Sequence, residues 1–210
     1  MSRGRFIAFE GGEGAGKSTQ ARLLADALAA RGIEVLLTRE PGGTPGAEAI
    51  RRLLLDPPGE GWEPAAEALL FAAARADHVA RAIRPALEGG RWVVCDRFVD
   101  SSRAYQGGGG GLSDADVLAL HGVGSGGLLP DLTLLIEVPP EAAEARLAHR
   151  DGGEDDAIGG RGAAYHAQVA AAFARLADGE PARFARVDGS GPVERTQAAI
   201  MAALAPLLGA

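Results

Sequence analysis

The sequence predicts an α/β fold, a five-stranded parallel sheet flanked by helices in a three-layer sandwich. Three observations lead there. Five short apolar runs alternate with stretches of helical periodicity along 210 residues. Those runs are almost continuously apolar, as parallel strands covered on both faces must be. A glycine-rich turn joins the first run to an amphipathic helix, which sets the βα alternation. One domain over residues 1–210 is expected, since single domains run roughly 50–250 residues. The formal net charge of −7 argues against a nucleic-acid partner, which needs a basic face. A small phosphorylated ligand needs only a few arginines focused in a cleft. Cys95 is the sole cysteine and lies in the apolar run Trp92-Val93-Val94-Cys95, so a buried thiol is expected and no internal disulfide can form. No apolar stretch reaches the ~20 residues of a membrane span, and no charged-then-apolar leader is visible. The expectation is therefore no membrane and a cytoplasmic location.

The first strand, Phe6–Glu10, runs into Gly11-Gly12-Glu13-Gly14-Ala15-Gly16-Lys17-Ser18-Thr19. Ala21, Leu24, Ala25 and Leu28 then recur at helical spacing. The spacing from Gly11 to Ser18 is that of the phosphate-binding loop, G-x-x-x-x-G-K-[ST], in the strand–loop–helix context it requires. Glycines let successive N–H groups turn inward around phosphate oxygens, and the helix N-terminus adds partial positive charge. Lys17 would reach the β- and γ-phosphates of a nucleoside triphosphate, and the Ser18 hydroxyl would take a position on Mg²⁺. The fold class narrows to a P-loop NTPase.

The second strand, 34–38, leads into Thr38-Arg39-Glu40-Pro41-Gly42-Gly43-Thr44. The Pro-Gly-Gly turn would throw Arg39 outward, although a surface arginine in an ordinary turn reads the same way. A helix over 47–55 follows, stopped by Asp56-Pro57-Pro58-Gly59. A long helix over 64–87 carries Ala66, Leu69, Leu70, Ala73, Ala76, Ala80, Ile83 and Leu87 as its expected core stripe. Phe71 and Arg75 share a face off that stripe and could offer a stacking plane and a fork of donors to a nucleobase. Packing is the commoner use of such an aromatic. His78 continues that face and is read as incidental.

The third strand, Trp92–Asp96, opens Asp96-Arg97-Phe98-Val99-Asp100-Ser101-Ser102-Arg103-Ala104-Tyr105-Gln106. Asp96 could hold Mg²⁺, Arg97 could clamp a phosphate, and Ser102, Tyr105 and Gln106 could read sugar and base. A helix start capped by Asp100 or Ser101 explains part of the same pattern. Residues 107–111, all glycine, read as a mobile loop over the pocket. The fourth strand, 132–138, precedes a helix over 141–150 with Arg146 and Arg150. The segment 151–162 has five glycines among charged residues and reads as a hinged lid. A helix over 163–177, a fifth strand over 184–187 and a last helix ending near Pro206 complete the chain. Ile200, Leu204, Leu207 and Leu208 form one face of that helix.

Taken together, the phosphate loop, Thr38-Arg39-Glu40-Pro41-Gly42-Gly43-Thr44, Asp96-Arg97-Phe98, Ser102-Arg103-Ala104-Tyr105-Gln106-Gly107 and Pro130-Asp131-Leu132-Thr133-Leu134 resemble thymidylate kinases. The resemblance runs from about residue 5 to Val138 and continues more weakly to the end. It implies transfer of the γ-phosphoryl of ATP to dTMP with Mg²⁺, by a homodimer. It also implies that Gly11 to Thr19 bind ATP and that Ser18 and Asp96 serve the metal. Glu13 would approach the sugar 3′-hydroxyl, and Arg39 and Arg97 would clamp the dTMP phosphate. Phe71 would stack on thymine and Arg75 bond its carbonyl edge. Ser102 and Gln106 would line the base region, and Tyr105 would crowd the 2′ position.

One departure stands out. Gly14 occupies a loop position that holds no arginine, a pattern in which the lid supplies one, yet Asp155-Asp156-Ala157-Ile158 lacks it. Arg150 is the expected principal lid arginine, Arg161 a secondary one, and Arg146 the fallback. A deoxynucleoside kinase is the alternative enzyme, but it has no use for a phosphate clamp. A regulatory GTP-binding module would need an Asn-Lys-x-Asp segment, which the sequence lacks.

Overall fold

The structure, a computed structural model, describes residues 3–148 and 157–209. Five strands form one parallel sheet: β1 (Phe6–Glu10), β2 (Val35–Arg39), β3 (Trp92–Asp96), β4 (Leu132–Glu137) and β5 (Phe184–Asp188). Their order is β2-β3-β1-β4-β5. The predicted fold class is borne out, with strand ends shifted by a residue or so. Every residue of β1 is buried because its side chains alternate between two covered faces. Ile7 and Phe9 enter one core and Phe6 and Ala8 the other. The chain leaves β1 towards β2 and later crosses β1 to reach β4, so the segment after Glu10 lies where the winding reverses. Crevices at such points take ligands in open α/β sheets.

On the Ile7–Phe9 side pack α1 (Lys17–Ala29) and α9 (Val193–Leu208). The apolar face predicted for α1 is the buried one. The helix α9 ends near Pro206 as expected, passing through it to Leu208. Losing one backbone bond in the last turn costs less than unwinding a helix anchored by buried Ile200 and Leu204.

On the other side, the long helix predicted over 64–87 is broken into α3 (Pro64–His78), a π-helical turn (Val79–Ile83) and α4 (Arg84–Glu88). Pro85 has no N–H to return to Arg81, so the bonding pattern widens just ahead of it. The expected core stripe holds at Ile83 and Leu87 and is corrected on α3. Leu69 is 55% exposed, whereas Glu67, Ala68, Ala74, Arg75 and His78 are buried. The inward face of α3 borders a cavity and a polar turn, so the sheet-facing burden falls on Val79, Ile83, Ala86 and Leu87 further on.

The 107–111 segment is also corrected. After the short α5 (Val99–Ser102), residues Arg103–Gly109 form a second π-helical stretch. It packs against α8 (Ala163–Gly179), and a Cβ on Gly108 would sit 2.4 Å from the Cβ of Ala172. Gly108 and Gly109 are small so that two helices can touch, a Cβ on Gly109 lying 2.5 Å from the Tyr165 ring. Gly108→Ala should therefore destabilise the protein by about 1–3 kcal/mol, the usual cost of overpacking. Chemical denaturation would check this, and a change under half that lower bound would count against the packing role.

Candidate active site

The phosphate loop leaves β1 at Gly11, whose φ of 136° is open to glycine, and a Cβ there would lie 2.3 Å from the Ile136 carbonyl oxygen on β4. Gly14 has φ 70°, and a Cβ would meet the Ala143 carbonyl oxygen at 2.6 Å. That carbonyl belongs to α7 (Pro140–Ala148), which explains in steric terms why no larger residue stands in this loop position. Lys17 is buried and donates to the Gly12 carbonyl at 2.7 Å. Burial, and then the nearby Arg97 cation, lower its pKa to about 8; a phosphate placed beside it would reverse that shift. The Ser18 hydroxyl donates to Asp96 Oδ2, while Asp96 Oδ1 is buried with no hydrogen-bond partner.

Arg97 stands directly after β3 with φ 68°, an uncommon value for a side-chain-bearing residue. Its amide donates to the Phe9 carbonyl at 2.9 Å and its own carbonyl accepts from the Cys95 thiol at 3.0 Å. That geometry turns the guanidinium across the end of β1. Nη1 donates to the Gly11 carbonyl and to Ser101 Oγ, both at 3.1 Å, and Nη2 to Glu13 Oε1 at 2.5 Å. The Tyr105 ring lies beneath, 5.0 Å from Cζ. The Arg97 charge, together with Lys17, outweighs burial and holds the Glu13 carboxyl down at about 2. Both acidic and basic partners therefore stay ionised near neutral pH.

Sequence reasoning passed over Glu10. Neither Asp100 nor Ser101 caps α5 with its side chain; Glu10 does so instead, accepting from the amides of Phe98 at 2.8 Å and Ser101 at 3.1 Å. Burial, and then the charge of Asp100, push its pKa up to about 7 from 4.5. Between those values the folded chain holds a proton that the unfolded chain has lost, so this group makes stability fall as pH rises from about 4.5 to 7. Glu10→Gln, neutral throughout, should flatten the decline in unfolding free energy across that window. Urea melts at several pH values would show it, and parallel curves for both proteins would refute it.

The other end of the cavity is built on α3. Phe71 and Arg75 both line it, as do Ser102, Tyr105 and Gln106. Arg75 Nε donates to Glu40 Oε2 and Nη2 to Ser102 Oγ, each at 2.7 Å, while Nη1 carries neither bond. The reading of His78 as incidental is corrected. It is buried, with Nδ1 3.0 Å from Glu40 Oε1 and Nε2 2.8 Å from Thr38 Oγ1. A Cβ on Gly43 would strike that ring at 2.4 Å, so the Pro-Gly-Gly turn folds directly onto it. The burial of Glu40, Glu67 and His78 had no counterpart in an apolar-periodicity search. An acid following Arg39 at a strand end was the available signal for Glu40. Arg39 itself is half exposed at the cavity rim and donates to Glu48 on α2 (Pro45–Leu55) at 3.0 Å.

The cavity encloses about 600 Å³, within the usual range for a ligand site. Arg146, on α7, also borders it, with Nη2 donating to the Gly189 carbonyl at 2.7 Å and Nη1 against the Ala15 carbonyl at 3.4 Å. Arg150 and the first half of the expected lid, including Asp151, Asp155 and Asp156, lie outside the described residues. Arg161 is described, and it pairs with Glu67 instead of facing the phosphate loop.

A glycine-rich loop at the C-terminal end of a central parallel strand, followed by a buried lysine and a hydroxyl–carboxylate pair, defines a nucleotide-binding protein of the P-loop class. The family model for thymidylate kinase matches residues 9–200. The chain is 57% identical over 205 residues to a thymidylate kinase of Rhizorhabdus wittichii, covering 98% of this chain and 99% of that one. It is 46% identical over 209 residues to one from Caulobacter vibrioides, covering all of both. The crystal structure of a thymidylate kinase from Ehrlichia chaffeensis superposes with a TM-score of 0.77 at 31% identity, covering 96% of this chain and 99% of that one. The chain belongs to the thymidylate kinase family, and it is a kinase enzyme.

Proposed function

We propose that the protein transfers the γ-phosphoryl of ATP to dTMP, giving dTDP and ADP. The observation that carries this reading is the meeting, in one cavity, of a phosphate loop with two strand-end arginines and with Phe71 and Arg75. Lys17 and the loop amides hold the phosphates of ATP. Arg39 and Arg97 hold the acceptor phosphate in line, and Glu13, already bonded to Arg97, faces the sugar. Phe71 stacks on the base, Arg75 Nη1 donates to its carbonyl, and Tyr105 fills the space a 2′-hydroxyl would need. Phosphoryl transfer asks mainly for such placement and for charge neutralisation. Ser18 and Asp96 fit Mg²⁺, because they present hard oxygen donors and one carboxylate oxygen is buried without a partner. The ion supplies neutralisation of phosphate charge. Arg146 supports the loop from α7 and is the described arginine best placed to add a further cation.

The reading extends to a single domain in a cytoplasmic homodimer that binds no nucleic acid. No helix among the described residues is long and apolar enough to cross a membrane. Leu69 on α3 and Val123 on the adjacent α6 (Asp114–Ser125), 55% and 92% exposed, support a subunit contact. A coupled assay of ADP release over dTMP, dUMP, dCMP, dGMP, AMP and deoxythymidine tests the function. The expected result is a clear preference for dTMP. Equal kcat/KM for dCMP, or faster phosphorylation of deoxythymidine, would overturn it.

A further inference from the structure

Glu67 is a carboxylate buried on the inward face of α3. Its Oε1 accepts from Gln106 Nε2 at 2.9 Å, and its Oε2 is paired with Arg161 Nη2. Arg161 is itself held in place. Nη1 donates to the Tyr165 hydroxyl at 2.7 Å, and Cζ lies 4.7 Å over the Tyr165 ring. The Tyr165 hydroxyl in turn donates to the Tyr105 carbonyl at 3.0 Å. A carboxylate paired with a guanidinium can only accept hydrogen bonds. The Gln106 amide must therefore turn its nitrogen to Glu67, which leaves its oxygen towards the cavity that Gln106 lines beside Arg75 and Ser102.

We infer that Glu67 is a positioning residue that sets base specificity by fixing which way the Gln106 amide faces. This rests on the proposed dTMP site. An amide oxygen accepts from the N3–H of thymine, whereas cytosine presents an unprotonated N3 and an exocyclic amino group. An amide free to turn over would suit either base; a locked one meets thymine's N–H and opposes cytosine's bare nitrogen.

The test is Glu67→Gln, which keeps the volume but can donate as well as accept, so the Gln106 amide can reverse. The kcat/KM ratio of dTMP to dCMP should fall by at least about fivefold, the lower end of what one unmatched buried polar group costs. The exchanged pair, Glu67→Gln with Gln106→Glu, restores a one-way donor and an acceptor facing the cavity, and it should recover most of the ratio. Arg161→Lys keeps a cation opposite Glu67, so the carboxylate still only accepts and the ratio should stay near the wild-type value. Equal losses with both nucleotides in Glu67→Gln would mean general damage and overturn the inference. So would a ratio that the exchanged pair fails to recover, or an Arg161→Lys ratio as low as that of Glu67→Gln. A wild-type protein that shows no preference for dTMP would instead refute the function on which the inference rests.

Discussion

Arg97→Ala is expected to lower kcat by about 10³-fold, the scale of losing a cation that stabilises a transferring phosphoryl group, or about 4 kcal/mol of barrier. The backbone aims Arg97 across the end of β1, and its guanidinium ties Gly11, Ser101 and Glu13 together. Its removal takes away a positive charge at the acceptor phosphate and also frees the Glu13 carboxylate, which would then repel that phosphate. ATP affinity should fall less than kcat, because the bond from Lys17 to the Gly12 carbonyl is made without Arg97, although Gly11 and Glu13 lose their bonds to it. Arg97→Lys should fall between, since an ammonium keeps the charge and loses the planar fork. Steady-state kinetics with separate ATP and dTMP titrations would check this. Lost ATP binding with intact dTMP affinity would assign Arg97 to the other nucleotide.

The second large effect is on stability. Asp100→Ala is expected to cost about 3 kcal/mol, the lower end of the penalty for breaking a buried ion pair, because Glu180 still pairs both arginines and Asp114 still pairs Arg103. Asp100 is fully buried and accepts from Arg103 at 3.0 Å, from Arg183 at 2.6 and 2.8 Å, and from Thr133 at 3.3 Å. Arg103 and Arg183 also share Glu180, so one carboxylate holds α5, β4 and the entry to β5 in register around two guanidiniums. With alanine both guanidiniums lose their buried common acceptor and keep only the more exposed Glu180 and, for Arg103, Asp114. That loss is a large part of a typical domain's stability of about 5–15 kcal/mol. The midpoint of urea unfolding should move down by at least about 1 M. Asp100→Asn, which keeps the shape and the acceptor oxygen, should cost less. Equal stability of the alanine variant and the wild type would show that the cluster is solvated in solution.

The phosphate loop and the strands were legible because their signals are local. Four glycines and a lysine at fixed spacing, and five apolar runs, depend on nothing distant in the chain. Arg75 and Phe71 were legible as a pair because one helical turn separates them. Glu40, Glu67 and His78 were not. A periodicity search assigns apolar residues to the core, and α3 turns acids and bases inward because its neighbours are a polar turn and a cavity. Residues 107–111 misled for the opposite reason. Glycine composition reports freedom of the backbone, as at Gly111, and only the approach of α8 shows that Gly108 and Gly109 serve close packing. Asp100 looked like a cap because it follows a strand, while its true partners lie as far away as Arg183.

On the proposed function, Glu40 would tie base and phosphate to one another. Its side chain holds Arg75, its backbone amide donates to the Asp96 carbonyl at 2.9 Å, and its neighbour in the chain is Arg39. On that function, a nucleobase that leaves Arg75 unengaged would leave Glu40, and the adjoining Arg39, less firmly set for the acceptor phosphate. Errors of base would then be penalised in turnover as well as in affinity. Selectivity of that kind survives crowding of the site. Even at concentrations of a wrong nucleotide that fill the cavity completely, its phosphate would rest out of line and be converted slowly. A saturating kcat for dCMP equal to that for dTMP would show that the two ends of the cavity act independently.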